Sequence, residues 1–221
     1  MPTNPDEPFY CSQQIDIPPD LLDILKQFTK AAIRSQPIDI LPWSAAYFRA
    51  MSKGELPPVK ERLEMPLASQ RTDTGLTPGL LRVLNKQLGP KKKVTVTQIE
   101  EKWMDLALPK EQFDDLMRVG GFSGQIEWNR FLALAASLLS DNITDTMRVI
   151  CETLTVDPEG GPARINYVVF KDLYQFLAHI DGEISESQIS EVLSYLQSEV
   201  DKQEGKVMPR NFMNANCPSL S

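Results

Sequence analysis

With 221 residues, 42% of them apolar and 24% charged, the chain has the length of one large or two small domains and enough apolar residues to bury a core, which excludes wholesale disorder and low-complexity architecture. A net charge of -7 argues against nucleic acid as the main partner, because phosphate binding needs a basic face. No apolar run approaches the ~18 residues of a membrane span, and the opening MPTNPDEPFYCS has neither a basic start nor an apolar leader segment, so a cytoplasmic protein with protein partners and no membrane is expected.

Residues 1–14, with Pro2, Pro5 and Pro8, read as a loose arm. Residues 15–52 carry two helical patterns. In the first, Pro18 and Pro19 sit where missing N–H groups cost nothing, Asp20 and Asp23 complement the positive end of the dipole, and Arg34 lies in the last turn. Gln36-Pro37 stops it, Asp39 caps the second helix, and Pro42 is tolerated in the first turn there. The first helix has two apolar stripes. One is Leu21, Ile24, Phe28, Ala31 and Ala32; the other is Leu22, Leu25, Thr29 and Ile33. The second helix offers Ile40, Trp43, Tyr47 and Met51, with Leu41 and Phe48 adjoining. A unit below ~40 residues needs a partner for such surface. A homodimeric four-helix bundle covers one stripe and leaves the other as an apolar groove for an amphipathic helix; packing of the hairpin on the rest of the chain competes with it, and pattern alone does not choose.

Residues 53–75 lie in a stretch, GELPPVKERLEMPLASQRTDTGLTP, that holds four prolines and reads as a linker. From there to residue 221 the spacing predicts a helical domain, with helices at about 77–88, 97–107, 109–118, 127–140, 143–155, 167–179, 185–200 and 209–214. Thr77-Pro78, and Thr97 with Glu100, are helix-start signals. Only Ile15–Ile17 and Val94–Val96 read as extended. Lys91, Lys92 and Lys93 are a solvated turn, and residues 141–221, with thirteen acidic and six basic residues, hold the acidity of the chain.

Four places share a glycine followed by an aliphatic residue and then Phe or Ile: Gly124 with Ile126 and Phe131, Gly161 with Ile165 and Phe170, Gly182 with Ile184 and Ile189, and Gly205 with Val207 and Phe212. That spacing resembles the EF-hand, where the aliphatic residue joins a short pairing. The calcium ligands are missing. The ligand positions are Val119, Gly121, Ser123 and Arg130 in one loop and Val200, Lys202, Glu204 and Asn211 in another, while Leu177 and Gln188 close a third. The loop from Asp157 through Glu159 to Pro162 carries acids at an altered length and is the one weak calcium candidate, so ion-free turns and no metal are expected. Cys11, Cys151 and Cys217 are too far apart for a disulfide framework or a zinc site. His179, the only histidine, reads as a core-edge residue, and Trp103 and Trp128 as packing anchors. No nucleophile elbow, phosphate loop or second base accompanies them, so neither an enzyme nor a cofactor is expected.

The run from Ile15-Asp-Ile-Pro-Pro through Arg34-Ser-Gln-Pro to Tyr47-Phe48 closely resembles the dimerisation and docking domain of type II regulatory subunits of cyclic-AMP-dependent protein kinase. FTKAAIRSQP, WSAAYF, FLALAA and DPEGGPARI, with the order hairpin, proline-rich linker, helical acidic region, are similar to the ropporin family over nearly the whole chain. The resemblance implies an all-α adaptor. Its groove for helices of A-kinase anchoring proteins would be lined by Ile15, Ile17, Leu22, Leu25, Lys26, Thr29 and Ile33, and its dimer core made of Leu21, Ile24, Phe28, Ile40, Trp43, Tyr47 and Phe48. It further implies a homodimer, or a heterodimer with a related docking-domain protein, and a place in the axonemal radial spoke of motile cilia and sperm flagella, bound to the radial-spoke anchoring subunit. Lys30 departs from the kinase subunits, which tend to be apolar there. Neither an inhibitor sequence nor a strand-rich nucleotide barrel follows the hairpin. A calcium-responsive EF-hand-like regulator is the alternative.

Overall fold

The structure is a computed structural model and describes residues 17–64 and 75–221. Two helices, α1 (Leu21–Ser35) and α2 (Ile40–Lys53), form the N-terminal hairpin. The chain leaves α1 through Gln36 in the left-handed region (φ 46), and α2 starts where the Asp39 side chain accepts from the Leu41 N–H at 3.0 Å. Ala31, Trp43 and Tyr47 make a small core of their own, against which Phe28, Ala32 and Val59 pack. Phe28 meets the tilted ring of Trp43 and, edge to face, the ring of Tyr47, at 5.7 and 5.4 Å between ring centres.

The larger region runs α3 (Pro78–Leu88), β1 (Lys93–Thr95), α4 (Val96–Asp105), α5 (Lys110–Val119), β2 (Gln125–Glu127) and α6 (Trp128–Ser137). It then repeats the order with α7 (Ile143–Leu154), β3 (Ile165–Asn166), α8 (Tyr167–Asp181), α9 (Glu186–Val200), β4 (Lys206–Val207) and α10 (Pro209–Phe212). Each half is therefore four helices held at the loops by one short antiparallel pairing. Val94 faces Ile126 in the first, and Ile165 faces Val207 in the second. A single apolar core runs through both halves, with Trp103, Trp128, Phe131, Phe170 and Tyr174 at its centre. Asn85 accepts from the Trp128 indole at 2.8 Å and donates to the Thr153 carbonyl at 3.0 Å, tying α3, α6 and α7 together. Among the described residues no helix is long and apolar enough to cross a membrane.

Three details differ from the sequence reading. Ile184 joins no strand, because Gly182 (φ 74) ends α8 and Ser185 already caps α9, which leaves no room for a pairing; Val94 takes that role. α4 starts from Thr95 and not Thr97: the Thr95 hydroxyl accepts from the Gln98 N–H while the Gln98 side chain accepts from the Thr95 N–H, so the helix follows β1 without a break. His179 is exposed, its ring nitrogens 2.7 Å from the Gln175 carbonyl and 3.3 Å from the Glu186 carboxylate, since it falls on the outward side of α8 while Leu177 and Ala178 face the core.

Candidate interaction surface of the N-terminal hairpin

The two stripes of α1 have different fates. Ala31 is buried, Phe28 and Ala32 are half-buried against α2, and Leu21 and Ile24 are half-buried. The other stripe faces solvent, with Leu22 63%, Leu25 46% and Ile33 64% exposed and Lys26 and Thr29 exposed between them. Ile17 is exposed just before the helix; Ile15 lies outside the described residues. Five expected groove residues therefore share one open face of α1, although apolar side chains of this size are ordinarily covered.

The expected dimer-core residues divide. Trp43 and Tyr47 are buried by their own chain, Trp43 to 1% exposure, whereas Ile40 and Phe48 lie open on α2. Phe48 stacks on Phe28 with ring centres 5.0 Å apart. Leu21, Ile24, Phe28, Ile40 and Phe48 thus form a second apolar surface on the hairpin, next to the open stripe.

What covers Trp43 is the segment after α2. Its indole N–H donates to the Pro58 carbonyl at 2.8 Å, and the Lys60 N–H donates to the Ser35 hydroxyl at 3.1 Å. The Lys60 ammonium is buried and lies 3.0 Å from the Glu64 carboxylate. That carboxylate also accepts from the Thr77 hydroxyl at 2.5 Å and the Gly79 N–H at 2.6 Å, at the start of α3. Burial raises the pKa of Glu64, but the bonds from Thr77, Lys60 and Gly79 outweigh it and hold the group below the usual carboxylate range. A Cβ on residue 79 would stand 2.6 Å from that carboxylate, so a side chain there would make the Glu64 carboxylate shift away. With the Arg49–Asp105 and Lys102–Glu55 ion pairs (both 3.1 Å) and the bond from Gln87 to the Leu56 carbonyl (2.8 Å), these contacts seat the hairpin on the helical region through α2 and leave the stripe of α1 free. Sequence reasoning passed over residues 55–64 as linker. The one signal is Lys60 and Glu64 at i, i+4, and two of the acceptors, Pro58 and Leu56, act through backbone carbonyls.

The acid-bearing loop of the helical region is already engaged. Asp157 accepts from the Arg164 N–H (2.9 Å), Nε (3.1 Å) and Nη2 (2.8 Å), and Glu159 lies 2.5 Å from Arg62. Hydrogen bonding to Arg164 holds the Asp157 carboxyl at about 2. At the position where a calcium loop needs its bidentate acid, Arg130 pairs with Asp172 at 2.8 Å, and the buried Asn211 accepts from the Met208 N–H at 3.0 Å. A guanidinium and an amide committed to the fold supply no ligand. Cys151 is buried and its thiol pushed up by that burial, and Cys217 is pushed up to about 11 for the same reason, so neither is a ready nucleophile.

The Asp157–Arg164 lock makes a prediction with a definite sign. In the unfolded chain this carboxyl protonates near 3.8 and in the folded chain near 2, so what the lock contributes is complete above pH 3.8 and is lost as pH falls toward 2. Asp157→Asn is expected to speed amide exchange at Arg164 at neutral pH and to remove that acid step, read by hydrogen exchange across a pH series.

A helical hairpin with an open apolar face, carried on a larger helical body with short loop pairings, defines a mostly helical protein. The chain matches the family models for the Ropporin N-terminal domain over residues 1–55, the Ropporin middle domain over 79–141 and the Ropporin C-terminal domain over 142–207. It belongs to the ropporin family. The boundary between the middle and C-terminal domains coincides with Asn142, the residue that caps α7, where the order of helices and strands repeats.

Proposed function

We propose that the chain is a non-enzymatic adaptor whose N-terminal hairpin dimerises as a four-helix bundle and grips amphipathic helices of A-kinase anchoring proteins. The dimer forms with a second copy or with a related docking-domain protein. The cellular setting is the axonemal radial spoke of motile cilia and sperm flagella, with the radial-spoke anchoring subunit as one of the proteins held. That setting rests on the family. The observation that carries the docking reading is the open row Leu22, Leu25 and Ile33 on a helix whose other apolar side is buried at Ala31 and half-buried at Leu21, Ile24 and Phe28. Leu21, Ile24, Phe28, Ile40 and Phe48 supply the adjoining surface for the second protomer. Residues 76–221 then act as an EF-hand-like helical body without calcium, acidic in its second half, which holds the hairpin through the Arg49–Asp105 pair and, by way of the segment after α2, the Glu64 contacts.

The test is fluorescence anisotropy of a labelled amphipathic anchoring helix titrated with the full chain, beside the same peptide broken by prolines. Saturable binding to the intact peptide alone is expected. Leu25→Asp buries an unpaired carboxylate in that contact and is expected to weaken it by on the order of a hundredfold. Because Leu25 is exposed in the free chain, the melting temperature and the dimer should be unchanged. Equal affinity in a folded, dimeric Leu25→Asp protein removes the groove assignment. Calorimetric titration with calcium separates the other class of reading: an isotherm at micromolar ion would make the helical body a sensor.

A further inference from the structure

We propose that the helix taken by this hairpin is acidic along its polar flank, and that Lys30 is the residue that selects it; the inference rests on the docking reading above. On α1, Lys26, Lys30 and Arg34 recur at i, i+4 and i+8, a row that starts at the edge of the open stripe Leu22, Leu25, Thr29 and Ile33 and turns from it by about 40° per step, so that Lys26 and Lys30 flank the stripe and Arg34 stands farther round the helix. All three are exposed. The Lys26 ammonium lies 3.3 Å from Asp23, but among the described residues neither Lys30 nor Arg34 has an ion-pair partner.

Such a row does not help α1 itself. Like charges at i, i+4 weaken a helix by a few tenths of a kcal/mol per pair. Arg34 recovers some of this from the negative end of the dipole in the last turn, whereas Lys30, in the middle of the helix, recovers nothing. The row also runs against the chain as a whole, which carries a net charge of -7. A cationic edge beside an apolar face on an acidic protein is complementary to an amphipathic helix with carboxylates next to its apolar side. The flexible stem of Lys30 lets its ammonium reach over the edge to such a group. In a two-fold dimer the row is duplicated, so both polar flanks of the seated helix meet cations.

The experiment uses the full chain and two labelled peptides with the same length and the same Leu/Ile/Ala face, one with glutamates and one with glutamines along both flanks. At about 50 mM salt the glutamate peptide is expected to bind about fivefold tighter, and the gap should close at about 500 mM, as exposed charge pairs are screened. Lys30→Glu is expected to abolish or invert the preference. Lys171→Glu, an exposed change on α8, alters the net charge equally and should leave the preference in place. If both peptides bind the native chain equally, or if Lys171→Glu moves the preference as far as Lys30→Glu, the selection by Lys30 fails while docking stands. If neither peptide binds, docking fails and the selection falls with it.

Discussion

Trp43→Ala is expected to destabilise the hairpin by about 3–5 kcal/mol, the range for a large aromatic residue removed from a packed site. Trp43 is 1% exposed and meets Phe28 and Tyr47 at 5.7 and 5.5 Å between ring centres. Its core is small, with Ala31 and Tyr47 as the other buried members, so little remains to close the gap. The loss also strands the Pro58 carbonyl, which the indole N–H meets at 2.8 Å. Hydrogen exchange reads the result locally. Amides of α1 and α2 should lose their protection while those of α6 and α7, in the larger core, keep theirs. Trp43→Phe separates the two causes: it keeps most of the ring contact and gives up only the hydrogen bond, so about 1–3 kcal/mol should go. Unchanged protection of α1 and α2 in Trp43→Ala would mean that the hairpin is ordered by a second protomer and not by its own chain.

The helices were legible because both of their signals are local. Apolar residues recur at the helical period, and Asp39, Thr77 and Ser185 stand where the chain needs a side-chain acceptor for the first free N–H groups. Thr95 was missed in favour of Thr97 because the cap shares its residues with β1. Two-residue strands such as Ile165–Asn166 are too short for any alternation, and only the glycine spacing hinted at them. For Gly182 and Ile184 the same spacing misled, because a glycine that ends a helix and a glycine that turns a loop look alike in sequence. That α1 carries two apolar stripes is legible in the sequence, since it is a matter of period and residue type; which of them stays open is not. Nor is how the hairpin sits on the helical region. Pro58 and Leu56 act through their carbonyls, which every residue has, and Glu64 reaches across thirteen residues to Thr77.

Residues 214–221 gave no periodic signal at all, yet they carry the second large expectation. Leu220 is 0% exposed, its carbonyl accepts from the Tyr174 hydroxyl at 3.1 Å, and the Gln188 side chain donates to the carbonyls of Ser219 (3.2 Å) and Ser221 (3.0 Å). Leu220→Ala is expected to destabilise the helical region by about 2–5 kcal/mol, and Leu220→Asp to expel the segment, because the buried site offers a carboxylate no partner. Tyr174 reports the expulsion. Burial, with the neighbouring Cys217 adding to it, pushes this phenol up from an ordinary value of 10.0 to about 12. In the native chain the unfolded state therefore loses the proton first, so what the buried phenol contributes is complete below pH 10 and disappears as pH rises toward 12. In Leu220→Asp the phenol is uncovered, its titration should move back toward 10, and the alkaline loss of stability should shrink with it. Ultraviolet titration of tyrosinate and urea unfolding at two alkaline pH values measure these separately. A Tyr174 titration that stays near 12 in the Leu220→Asp protein would mean that α8 is covered by the rest of the core, and that the segment is seated there without holding it closed.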